Sequence, residues 1–417
     1  MNRFFSGLWR HTDFRKLWVG QTISLVGSQV TALALPVAAA LTLRATAFQM
    51  GLFGVAGALP TLLFGLLAGV WVDRFRRLPL LIGADPGRAL LLGSIPVAAF
   101  VGLLSMGQLY IVAFLAGVLT LLFNIANMSL LPSLVEREQL VEGNSKLELS
   151  RSGAVIVGPG IAGLLIQWIT APFAIVVDAL SFLGSAAFLA RIRVPETVPN
   201  KKSLSLWSDL KIGVQTIVQH PILRSFITSL AAFNFFSYMI RALYVLYVIR
   251  ALGISPAILG LIYAVGSVGF LIGAFFASAV AQRFGTGPTI IWGAGVSNAA
   301  YLLIVVANGS VLSIALILIA AQFLVSFASA ITAINQQSMR QAITPPEIQG
   351  RVHGATFFLA SGLGTIGALI AGMLGQNIGL HSTLVIATIG IQLGTIILLI
   401  TPFRKFRELS PVSPDVS

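Results

Sequence analysis

Apolar stretches of about twenty residues, each long enough to cross roughly 30 Å of hydrocarbon as a helix, recur along the whole chain and leave no room for a soluble domain between them. There are about twelve, over 17–42, 50–72, 79–103, 108–130, 149–169, 172–190, 223–250, 257–281, 288–308, 311–336, 352–377 and 380–401. Inside a bilayer every backbone polar group must find its partner within the segment, so runs of this length are helices. Composition agrees: at 57% hydrophobic and 9% charged, the chain has too little polar surface for a water-soluble globule, in which about a quarter of residues are charged. The expected fold is an all-α membrane protein of twelve transmembrane helices.

The stretch from Met1 to Lys16 is broken by Arg10, His11, Asp13, Arg15 and Lys16. It lacks the apolar centre and cleavage site of a removable signal peptide, so the first span is expected to direct insertion. A net charge of +13 could suggest a nucleic-acid partner, but the basic residues are dispersed among the loops of alternate spans. With a cytoplasmic N-terminus, only Arg44 and Arg250 fall in outer loops, and only Arg88 and Arg241 within spans, of 26 lysines and arginines. The positive-inside rule then predicts a multi-pass plasma-membrane protein with both termini cytoplasmic, and no nucleic-acid partner is expected.

Other chemistry finds no support. There is no cysteine, and His11, His220, His353 and His381 lack metal-ligand spacing. The Gly-x-Gly-x-x-Gly at Gly362, Gly364 and Gly367 lies inside an apolar span with no strand before it, unlike a dinucleotide site. A Walker lysine motif is missing as well, so ATP is not the expected energy source. We expect no enzyme activity, no cofactor and no metal.

The chain repeats itself. At one constant offset His11 falls on His220, Arg15 on Arg224, Gly51 on Gly260, Gly57 on Gly266, Arg74-Phe75 on Arg283-Phe284, Glu138 on Glu347 and Ile161-Ala162-Gly163 on Ile370-Ala371-Gly372. Polar loop residues matched in fixed register mark a duplication. The expected organisation is a six-helix bundle over 1–190, a Pro- and Lys-containing cytoplasmic linker over 191–222, a second six-helix bundle over 223–401, and a cytoplasmic tail over 402–417.

Polar residues inside the spans follow the duplication. Gln21, Ser24, Ser28 and Thr31 share a face of the first span, and the fourth carries Thr120, Asn124 and Asn127. The seventh carries Asn234, Tyr238 and Arg241, the tenth Gln322, Ser326, Ser329 and Gln336. Such stripes line an aqueous cavity or form interhelical hydrogen bonds worth about 0.6 kcal/mol each. As substrate-binding candidates we take Gln21, Ser28, Asn124, Asn127, Asn234, Tyr238 and Arg241, with Phe235 and Phe236 as stacking surfaces. Asp85 and Arg88, three apart on one helical face, form either a structural brace or a proton-coupling pair. Asp178 is the most deeply placed acid, a candidate for proton coupling or a hydrogen-bonded structural group. Arg241 could counter Asp178 or a substrate anion.

Between the second and third spans stands Gly69-Val70-Trp71-Val72-Asp73-Arg74-Phe75-Arg76-Arg77. Asp73 continues a stripe of small residues, Thr61, Gly65 and Gly69, along which a neighbouring helix can approach closely. This Gly-x-x-x-Asp-Arg-x-x-Arg pattern resembles the cytoplasmic loop motif of the major facilitator superfamily, with Arg76 where that motif usually has Gly. The resemblance implies two six-helix bundles related by a pseudo-twofold axis, a substrate site between them, and a gate formed by Gly69, Asp73, Arg74 and Arg77, to which we add Arg88. Gly158-Pro159 in the fifth span, with Ala154, Ala162 and Gly163, resembles the antiporter motif of exporters in that superfamily. The fourth span lacks the arginine motif common in its drug and proton antiporters.

With the 131–150 and 345–351 connectors and the Asp85-x-x-Arg88 start, the whole chain resembles the macrolide-efflux and enterobactin-exporter branch. That implies a monomeric, proton-coupled exporter of amphipathic small molecules such as drugs, macrolides or siderophore-like compounds. The alternatives are a nutrient symporter on the same scaffold and a non-transporting sensor or lipid-handling protein.

Overall fold

A computed structural model describes residues 7–72, 77–128, 130–192, 206–345, 348–401 and 403. Among the described residues twelve helices are long and apolar enough to span a membrane, and no strand occurs. The first six are α1 (Thr12–Val37), α2 (Ala47–Val72), α3 (Arg77–Phe100), α4 (Met106–Met128), α5 (Leu140–Ile169) and α6 (Ala171–Leu189). The second six are α7 (Pro221–Leu246), α8 (Pro256–Phe284), α9 (Thr286–Val306), α10 (Val311–Ile343), α11 (Gln349–Asn377) and α12 (Leu380–Gly390, resumed as Gln392–Ile400).

The duplication read from the sequence appears in the local geometry. His11 caps α1, its Nδ1 accepting from the Phe14 amide at 3.2 Å. Its repeat-mate His220 caps α7 on the Leu223 amide at 3.4 Å. Both helices end in a π turn, Ala38–Thr42 and Tyr247–Ala251. Helix starts match by the same offset at Ala47 and Pro256, Arg77 and Thr286, Leu140 and Gln349, and Ala171 and Leu380. Positive φ recurs too: Arg44 (49°) pairs with Gly253 (68°), and Thr170 (69°) with Gly379 (88°). Glycine meets this backbone requirement without strain, whereas a β-branched threonine does not.

The chain divides into two compact units, each described by itself. Unit one comprises 1–45, 56–203 and 255–264; unit two comprises 46–55, 204–254 and 265–417. Each unit therefore includes about the first third of a span from the opposite sequence repeat. In unit one Gly163 of α5 lies against Gly260 of α8, and a Cβ on Gly163 would stand 2.6 Å from the Pro256 carbonyl oxygen. In unit two Gly372 of α11 lies against Gly51 of α2. Under the repeat these are one contact with the partners exchanged. Only residues lacking a side chain allow such backbone approach.

Leu8, Phe14, Leu17, Leu81, Phe123 and Leu189 form an apolar core in unit one. Leu223, Phe226, Ile290, Met339, Val352 and Phe403 form one in unit two. The stretch the sequence reads as linker contains a further helix, Leu206–Gln219, whose Ile217 joins the unit-two core and whose Gly213 abuts the backbone of Arg351. Outward-facing positions are as apolar as the cores: Leu90 is 77% and Phe100 82% exposed. In water that surface would drive aggregation; against acyl chains it is the matching solvent.

Candidate functional site

In unit one, α3 and α6 bring three charged side chains together. Asp85 and Arg88 lie one turn apart on α3, and Arg88 Nη2 donates to Asp85 Oδ1. Asp178 of α6 is held by Ser181, whose Oγ donates to the Asp178 carbonyl at 2.8 Å and lies 3.0 Å from Oδ1. Arg88 and Asp85 are the charged groups that act on Asp178, while the ion pair that Arg88 closes is with Asp85. All three are removed from solvent, with exposures of 0% for Asp85, 4% for Arg88 and 1% for Asp178.

Aromatic rings enclose the cation. The Arg88 guanidinium carbon stands 4.2 Å from the Phe123 ring centroid and 4.1 Å from that of Phe182. Each ring offers its negative face, worth about 0.5–2 kcal/mol in a desolvated site. Thr31 of α1 and Ser185 of α6 lie beside Asp178 and Asp85 without closing a well-formed hydrogen bond, and Asp85 Oδ2 and Arg88 Nε are also unpartnered. The arrangement holds two acids and one base, with hydroxyls to spare. Such a cluster can take a proton on Asp178 without leaving the guanidinium stranded, because Asp85 keeps Arg88.

Gly27 of α1 makes room for it. A Cβ there would collide with Ser181 Oγ and come within 2.7 Å of Asp178 Oδ1. Sequence reasoning identified the three charged residues but missed Gly27, Phe123, Phe182, Ser181 and Ser185. The available signal was the spacing of Asp178, Ser181 and Ser185 along one face of α6, opposite Gly20 and Gly27 on α1.

The polar stripes separate into two groups. In unit one Gln21 is buried and donates through Nε2 to Asn127 Oδ1, joining α1 to α4; Ser28 is half-buried and Asn124 exposed. Gly158 of α5 seats the Gln29 side chain, and the carbonyl of Pro159 backs onto Gly260. In unit two Asn234 Nδ2 returns to its own helix at the Leu230 carbonyl, 2.9 Å away. Phe235 and Phe236 meet edge to face at 5.0 Å. The Phe236 ring packs on Gly390 and the Tyr238 ring on Gly364. Arg241 is exposed, its guanidinium carbon 5.4 Å from the Tyr238 ring centroid. Of the proposed gate, Gly69 lies in the last turn of α2 and Arg77 opens α3. Asp73 and Arg74 lie outside the described residues. Arg88 stands with the buried acids of unit one.

The sequence matches the Major Facilitator Superfamily over residues 17–365 and 226–414. The chain belongs to that superfamily. Its curated relatives include the multidrug efflux pump Tap of Mycolicibacterium fortuitum, 27% identical over 378 residues, covering 88% of this chain and 90% of the pump. The enterobactin exporter EntS of Salmonella typhimurium is 24% identical over 421 residues, covering 97% and 96%. Among solved structures, a bacterial homologue of the iron transporter ferroportin in its inward-facing state superposes with a TM-score of 0.75 at 18% identity, over 94% of this chain and 99% of the homologue. This protein is thus a multi-pass membrane transporter of small molecules, not an enzyme, in a branch of the superfamily that includes named efflux pumps.

Proposed function

We propose that the protein exports amphipathic small molecules across the cytoplasmic membrane in exchange for protons, working as a monomer with both termini inside. The observation that carries the reading is the buried cluster of Asp85, Arg88 and Asp178. Intramembrane acids are costly to retain unless they act, and here two share one base. Asp178 takes the proton, while Asp85 holds Arg88 when Asp178 is neutral. Because Asp178 lies against Gly27 of α1, its charge state bears on the helix that also carries Gln21 and Ser28.

Gln21, Ser28, Asn124 and Asn127 in one unit, and Asn234, Phe235, Phe236, Tyr238 and Arg241 in the other, are the proposed cargo contacts. Gly69, Asp73, Arg74 and Arg77 are the proposed cytoplasmic gate, and Gly158 and Pro159 the close helix crossing that favours export. Full-length similarity to a multidrug pump and an enterobactin exporter supports outward transport of sizeable amphiphiles.

The test is dye accumulation in a pump-deficient bacterial host. Cells expressing the chain should hold less dye than cells with empty vector, and a protonophore should erase the difference. Equal accumulation with and without the chain, across cationic and anionic dyes, contradicts the reading. Lower accumulation that survives the protonophore removes proton exchange while leaving export.

A further inference from the structure

The six spans from Pro221 to Ile400 contain no aspartate or glutamate, and their one charged side chain away from a helix end is Arg241. The two repeats are thus unlike in charge: α3 and α6 provide Arg88 with two buried acids, and α7 provides Arg241 with none. Among the described residues Arg241 makes no ion pair or hydrogen bond. Its guanidinium carbon stands 5.4 Å from the centroid of the neutral Tyr238 ring.

Depth turns this into a constraint. Arg241 stands about 30 Å along the helix from Pro221 and about 15 Å from Ala251, at 1.5 Å per residue. A guanidinium facing lipid at such depth is strongly disfavoured. Snorkelling to the nearer end is opposed by the backbone, because helical side chains lean toward the helix N-terminus, here the distant one. Yet the side chain is exposed in the protein, while the residues after it, Ala242 to Ile249, are all buried. An exposed, unpaired cation at mid-span must therefore meet water or a ligand that carries the missing negative charge.

We infer that Arg241 anchors an acidic group of the cargo, a carboxylate, sulfonate or phosphate, with the Tyr238 ring beside it as a surface for the adjoining apolar part. The transported molecules are then anionic amphiphiles rather than lipophilic cations. Arginine suits the task, since its planar fork pairs bidentately with such oxyanions and stays charged in a dry setting. The inference rests on the transporter reading above and adds the charge of the cargo.

Two dyes on one xanthene core separate the possibilities: fluorescein, an anion at pH 7.5, and rhodamine 6G, a cation. Their binding to the full-length protein in dodecyl maltoside micelles is read by fluorescence anisotropy. Fluorescein should bind about tenfold or more tightly than rhodamine 6G, an effect of about 1.4 kcal/mol. Arg241→Ala should weaken fluorescein by at least that factor and leave rhodamine 6G within about twofold. Arg241→Lys should retain part of the affinity, and Arg241→Glu should reverse the preference.

Fluorescein binding that is absent, or unmoved by Arg241→Ala in protein of unchanged elution profile, overturns the inference. Displacement of fluorescein by phosphatidylglycerol but not phosphatidylcholine also overturns it, by reassigning the cation to a lipid headgroup. Transport is measured separately. Rhodamine 6G export together with fluorescein binding that ignores Arg241 leaves the exporter reading and removes the anion site. Arg241-dependent binding of fluorescein without its movement in vesicles does the reverse.

Discussion

Removing Arg88 while both acids remain is the most informative test of the buried cluster. Arg88→Met keeps the length and apolar stem of the side chain and deletes the guanidinium between Phe123 and Phe182. Asp85 and Asp178, at 0% and 1% exposure, then lose the base they share. Breaking a buried pair from one side costs about 3–5 kcal/mol, because a desolvated charge is left behind. At about 2–4 °C per kcal/mol for a unit of this size, the midpoint should fall by roughly 6–20 °C. The six tryptophans provide the signal for thermal unfolding in micelles.

The double variant Arg88→Met with Asp85→Asn should recover at least half of that loss, since only Asp178 then lacks a base and Ser181 still reaches it. A coupling energy of about 2 kcal/mol or more is expected between the two sites. If Arg88→Met melts within about 2 °C of wild type, or the two substitutions simply add, the charges are hydrated and the cluster is not the desolvated unit described.

Two further outcomes follow from local geometry. Thr170 holds a backbone conformation that its repeat-mate Gly379 adopts freely, so Thr170→Gly should raise the melting midpoint, by about 1–3 kcal/mol of released strain, and Gly379→Thr should lower it. Burial holds His220 below the ordinary histidine range, so the unfolded chain takes up a proton first. The stability from its cap on Leu223 is then full at neutral pH and declines as pH falls through about 6.5 toward the lower folded value. His220→Asn, which caps without titrating in this range, should flatten the melting curve between pH 7.5 and 5.5.

Most of the fold was legible because bilayer thickness imposes its own length on a helix, and the duplication supplied a second reading of each boundary. Where boundaries differed, the cause is physical. The fifth span reads from 149 by hydropathy, yet α5 begins at Leu140. Glu142, Lys146, Glu148 and Arg151 end the apolar run without ending the helix, and Glu142 accepts from Lys146 and from the Leu8 amide. The helix Leu206–Gln219 was hidden by Pro195, Pro199, Lys201 and Lys202 before it, although Leu210, Val214 and Ile217 already carried a helical apolar spacing.

Within the candidate site, Asp85 and Arg88 were visible as a pair because one turn joins them. That Asp178 comes near this pair was not, since it lies on a different helix and only packing brings α3 against α6. Gly27 illustrates the same limit: its role is to leave space, and space has no signature in one sequence.

The measurement that bears most directly on the account is proton-driven uptake into inverted vesicles carrying wild-type protein or Asp178→Asn, with interior acidification as the driving force and dye loading as the signal. The account predicts that wild type loads dye in proportion to the imposed gradient, and that Asp178→Asn loads none above empty vesicles while still exchanging dye across the membrane when no gradient is applied. Gradient-driven loading by Asp178→Asn equal to wild type would contradict it.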